Sequence, residues 1–74
     1  MSIGTNCKIY QHVTIGAGHG GYPEIGNNVT IYSNSVIVGN IKIGDNSVIG
    51  ACSFVNTNVP PNSTFAGIPA KNIK

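Results

Sequence analysis

The sequence predicts an all-β fold: a single-stranded parallel β-helix of about three triangular coils, with one extruded loop and a C-terminal cap. Three observations carry this expectation. Aliphatic residues recur every six positions, at Ile3, Ile9, Ile15, Ile25, Ile31, Ile37, Ile43, Ile49 and Val55, with one ten-residue step between Ile15 and Ile25. Four places after most of them stands a small or β-branched residue: Cys7, Val13, Val29, Ser35, Ser47, Ser53 and Val59. A helix repeats near 3.6 residues and a half-buried strand every two, so a sustained period of six fits neither. Third, like falls on like when every third hexad is aligned, provided the extra residues after Ile15 are looped out.

Taken in order, each hexad supplies one short strand and one corner, and three hexads close a coil. The first face stacks Ile3, Ile25 and Ile43, flanked by Gly4, Gly26, Gly44 and by Asn6, Asn28, Asn46. The second stacks Ile9, Ile31 and Ile49, with Tyr10 over Tyr32; the third stacks Ile15, Ile37 and Val55. Coils about 4.8 Å apart let each aliphatic pack on its counterparts above and below. Corners demand backbone angles that Gly and Asn reach most cheaply, so the Asn ladder reads as corner chemistry. The longer step makes 16–24 a glycine-rich excursion from the prism. Pro60 and Pro61 interrupt the repeat, which sets the expected boundary between a solenoid over 1–60 and a capping tail over 61–74. Nothing precedes Ile3 in the repeat, so the first coil should expose strand edges and the top of its apolar layer. Another molecule, such as a second copy of the assembly (a trimer is expected) stacked head to head through its N-terminal end, or sequence further upstream, would cover it.

Composition narrows the function classes. A 74-residue chain allows one domain with a small core, which regular stacking or oligomerisation must help. Only 8% of residues are charged and arginine is absent, so the net charge of +2 is no nucleic-acid footprint. No run is long and apolar enough for a membrane span, and a cytoplasmic protein is the default expectation. The two cysteines fall on different faces, too far apart for a disulfide, and both are expected as free thiols, Cys7 pointing inward. Tyr10 and Tyr32 read as surface or interface stacking rather than as a cofactor shelf.

The hexads, followed by Val59-Pro60-Pro61-Asn62-Ser63 and Ala66-Gly67-Ile68-Pro69-Ala70-Lys71, resemble the hexapeptide-repeat acyltransferases. Gln11-His12-Val13-Thr14-Ile15-Gly16 and Val38-Gly39-Asn40-Ile41 are similar to stretches of the serine acetyltransferase branch. The resemblance implies a left-handed coil, a homotrimer, no metal, and acetyl-CoA as co-substrate in the groove between neighbouring prisms. By position it implies that Gly16, Ala17 and Gly18 enter a loop beside the thioester. Ser33 and Ala51 would line the pantetheine arm, and Lys71, with Lys74, would meet the nucleotide phosphates as compact charges.

Acyl transfer to a hydroxyl needs a general base, usually histidine. The family's main histidine would fall upstream of Met1. A second family position carries Tyr22, and the base of the sugar O-acetyltransferases aligns with Asn34. Two histidines remain as candidates: His19, in the glycine-rich excursion and expected to be mobile, and His12, stacked above Asn34. The leading expectation is an O-acetyltransferase acting on serine or a sugar. The alternative is a truncated, weakly active or inactive trimeric scaffold that keeps the CoA groove. Ice binding would need flat Thr-x-Thr arrays, which the threonines do not form. A carbonic anhydrase would need three histidine ligands for zinc, and the sequence has two histidines.

Overall fold

The computed structural model describes residues 2–18 and 20–73, and among them every regular element is a strand. In chain order these are β1 (Ser2–Ile3), β2 (Lys8–Ile9), β3 (Thr14–Gly16), β4 (Glu24–Ile25), β5 (Thr30–Ile31) and β6 (Val36–Val38). They continue with β7 (Lys42–Ile43), β8 (Val48–Ile49), β9 (Phe54–Val55), β10 (Thr64–Gly67) and β11 (Ala70–Asn72). The strands form three sheets, ordered β1-β4-β7, β2-β5-β8-β10-β11 and β3-β6-β9. All pairings are parallel except β10 with β11. This is the triangular solenoid that the six-residue period demands, with three complete coils and part of a fourth.

The register is the expected one. Ile3 pairs with Ile25 and Ile25 with Ile43 on the first face. Ile9, Ile31 and Ile49 align on the second, and Ile15, Ile37 and Val55 on the third. The four-place positions also point inward: Val29, Ser35, Ser47 and Ser53 are buried, and Cys7 and Val13 pack against the core. Buried hydroxyls need acceptors. Ser35 and Ser53 both donate to the Gly50 carbonyl at 2.8 Å, and Ser47 donates to the Pro60 carbonyl at 3.0 Å. Cys7 and Cys52 are free thiols.

Corners explain the asparagines. Asn6, Asn28, Asn46 and Asn62 have φ of 58–63°, and so do His12, Asn34 and Cys52 at the next corner. Asparagine tolerates this left-handed region better than most residues. Gly4, Gly26 and Gly44 answer a different need, close approach: a Cβ on any of them would run into the corner of the coil below. The position after each glycine links coils through side chains. The Asp45 carboxylate accepts from the Asn27 N–H at 2.7 Å, and the Asn27 amide oxygen accepts from the Thr5 N–H at 2.9 Å.

The last coil departs from the expectation. The repeat does not break at Pro60: Asn62 N–H donates to Asp45 O, and β10 adds Phe65 beside Ile49. Only after Gly67 does the chain turn back, as β11 pairs antiparallel with β10. Val59 also changes role. It bridges to Ile43 as the first-face aliphatic of the fourth coil, so that sixteen residues separate these partners instead of the eighteen between Ile25 and Ile43. The corner after β9 has lost two residues, and Val59 slides into the strand-centre position, 2% exposed. Proline is tolerated beneath Asp45 because Pro61 has no N–H that a further coil would have to satisfy.

Candidate functional site

Two corners of the prism carry the candidate residues. The corner between the second and third faces presents three stacked columns. His12, Asn34 and Cys52 share the left-handed conformation; Gln11, Ser33 and Ala51 precede them; Tyr10, Tyr32 and Gly50 come before those. Backbone bonds tie the corner together, Asn34 N–H to Gln11 O at 3.2 Å and Cys52 N–H to Ser33 O at 3.0 Å. His12 and Ala51 are exposed and Ser33 is half-buried. A corner that must turn through a left-handed residue leaves that side chain outside the core, so His12 faces solvent. The Tyr10 and Tyr32 rings meet edge to face, with centroids 5.1 Å apart, on the outer surface of the second face.

The other corner, between the third face and the first, carries the excursion. Gly16 ends β3 paired with Val38, and Pro23 returns to the core fully buried. Between them the chain narrows where Gly18 N–H donates to Gly21 O at 2.9 Å and Gly21 N–H donates to Gly18 O at 3.3 Å. Gly20 and Gly21 have φ of 91° and 157°. Ala17 and Gly18 are exposed, and Tyr22 projects outward at 55% exposure. His19 lies outside the described residues. Its described glycine neighbours are held close to the prism, against the free excursion expected. Gly18 packs on the Gly39 backbone so closely that a Cβ would stand 2.5 Å from Gly39 Cα, and Asn40 lies under Gly20 and Gly21.

These corners are not one site within a single chain. The extended stretch from His12 to Ala17 spans roughly 15 Å at strand rise, so His12, Ser33 and Ala51 gather at one end of the third face and Gly16, Ala17 and Gly18 leave from the other. Lys71 belongs to neither. It sits exposed in β11, paired with Ala66, at the far edge of the second face. Among the described residues no three of His, Cys, Asp and Glu gather as a metal site, and no helix is long and apolar enough to cross a membrane. Val38-Gly39-Asn40-Ile41 stands out in the sequence as a family-like stretch, but its role as the seat of the excursion is visible only in the structure.

Fold and corner chemistry together define a hexapeptide-repeat β-helix. Residues 22–57 match the family described as bacterial transferase hexapeptide (six repeats). The chain is similar to serine acetyltransferase of Staphylococcus aureus, 46% identical over 78 aligned residues that cover 99% of this chain and 36% of the relative. A crystal structure of Neisseria gonorrhoeae serine acetyltransferase superposes with a TM-score of 0.89 at 45% identity, covering 93% of this chain and 29% of that one. The serine acetyltransferase of Brucella abortus strain S19 in complex with coenzyme A superposes with a TM-score of 0.87 at 40% identity, covering 92% and 29%. The chain is thus a hexapeptide-repeat protein akin to the repeat region of serine acetyltransferases, and it spans about a third of the length of the curated relatives it matches.

Proposed function

We propose that the chain is the repeat region of an acetyl-CoA-dependent O-acetyltransferase acting on a small hydroxylated acceptor, serine or a sugar. The observation that carries this reading is 46% identity to a serine acetyltransferase over 99% of the chain. In the reaction a neutral imidazole takes the acceptor hydroxyl proton as its oxygen attacks the thioester carbonyl. The carbon–sulfur bond then breaks, the CoA thiolate leaves, and the imidazolium returns the proton to sulfur. His12 and His19 are the two histidines available for that role. Ser33 and Ala51 suit the pantetheine arm because a small residue at a corner lets the arm approach the backbone. Exposed Lys71 suits a phosphate as a compact charge.

The separation of the two corners supports a homotrimer. Parallel prisms side by side would set the His12–Ser33–Ala51 corner of one chain against the 16–24 excursion of the next, which one chain cannot do alone. Light scattering should give about three times the 7.6 kDa chain mass. The test of function is calorimetric titration with acetyl-CoA, followed by serine-dependent release of free CoA thiol. Binding with turnover, lost in the His12→Ala, His19→Ala double variant, supports the enzyme reading; absence of CoA binding refutes it. Tyr22 and Asn34, standing where relatives are expected to hold a base, favour a second reading, a scaffold that binds CoA without turnover.

A further inference from the structure

The excursion between β3 and β4 rests on the next coil rather than standing free of it. Three contacts make the seat. Gly39 N–H donates to Gly16 O at 3.3 Å, and Gly18 lies flat on Gly39. A Cβ on Gly21 would stand 3.3 Å from Asn40 Cγ and 3.4 Å from both Asn40 Cβ and Oδ1, and one on Gly20 would stand 3.9 Å from Nδ2. The fit depends on bare backbone above and a short planar side chain below. Gly39 has φ of 106°, a conformation open to glycine, which lets Asn40 turn outward beneath the excursion. Asn40 itself is exposed, so its side chain fills no space in the core. Its outward side chain lies beneath Gly20 and Gly21 of the excursion.

We propose that Asn40 is a positioning residue for the acceptor side of the transfer site, which Tyr22 marks by standing where relatives are expected to hold a base: Asn40 holds Gly20 and Gly21, and with them Tyr22, in place against the third-face corner. This rests on the acetyltransferase reading above. Four glycines among residues 16–24 would otherwise leave the excursion a broad ensemble, and a reacting group or acceptor contact displaced by 1 Å can slow transfer by up to about a hundredfold. Asn40 removes that freedom without touching a reactant.

The test uses the whole chain with Asn40→Ala and the conservative Asn40→Asp, which keeps the planar shape at Cγ. Amide hydrogen exchange at Gly18 and Gly21 should quicken in Asn40→Ala and stay near the parent rate in Asn40→Asp, while Ile31 and Ile37 stay protected in both. In the transfer assay, Asn40→Ala should raise the acceptor KM on the order of tenfold, with the CoA dissociation constant within about twofold, and Asn40→Asp should recover most of the loss. Unchanged exchange at Gly18 and Gly21 in Asn40→Ala overturns the proposal. So does a loosened excursion with an unchanged acceptor KM, or an equal loss of CoA affinity. A parent chain that transfers nothing defeats the acetyltransferase reading instead, and the exchange data then decide whether Asn40 seats the excursion.

Discussion

The first coil and the middle coils are written in the same residues and live in different environments. Ile9 and Ile31 are consecutive rungs of one ladder, yet Ile9 is 38% exposed and Ile31 fully buried. On the first face Ile3 is 44% exposed and Ile25 3%. Every rung points inward, but the rungs of β1, β2 and β3 open the stack with a neighbour on one side only and stay partly wet, whereas Val55, in β9 at the other edge of its sheet, is fully buried. Burial in a solenoid is therefore a property of the stack. The hexad decides direction, and the neighbouring coils decide how much apolar area leaves water.

Substitutions along one ladder test this contrast. Ile31→Ala should cost about 2–5 kcal/mol, because the hole left between two coils cannot collapse far. In a domain this small such a loss takes most of the folding free energy. Urea denaturation would show the midpoint collapse or the transition disappear.

Corner strain comes next. Asn46, with φ of 63°, sits in a middle coil. Asn46→Ala should destabilise by about 1–2 kcal/mol, while Asn46→Gly stays near the parent. Equal effects of the two in thermal melts would place the role of Asn46 in its side chain rather than its backbone.

A buried hydroxyl should matter less. Ser35→Ala removes one of two donors to the Gly50 carbonyl and leaves Ser53 bonded to it, so the loss should be about 1 kcal/mol. Ser35→Ala combined with Ser53→Ala leaves that carbonyl without either hydroxyl and should cost more than the sum of the two single changes.

The smallest effect is the sharpest check on the comparison. Ile9→Ala should cost under about 1 kcal/mol, since the residue already meets water on one side. A cost matching that of Ile31→Ala would mean that something covers the first coil in solution.

Most of the fold was legible in the sequence because its cause is local and repeated. A period of six admits no other regular structure; it set the three ladders, their register through β9 and the side on which Val29, Ser35, Ser47 and Ser53 lie. The left-handed corners at Asn6, Asn28 and Asn46 were legible for the same reason, since their backbone angle is a preference of the residue itself. Of the candidate site, the sequence named the corner residues His12, Ser33 and Ala51 and the excursion from Gly16. It did not show that the two occupy opposite ends of one face.

Tertiary structure alone decided the rest. Whether Val59 closes a corner or begins a strand depends on Ile43, sixteen residues earlier, offering the better partner. The coil runs on through Pro60 and Pro61 because it is held on either side of them, where Gly44 N–H donates to Val59 O and Asn62 N–H donates to Asp45 O. The seat on Gly39 and Asn40 depends on glycines about twenty residues upstream coming down upon it. Each of these outcomes is set by what the adjacent coil brings into contact, and contact between coils belongs to the stack rather than to any hexad within it.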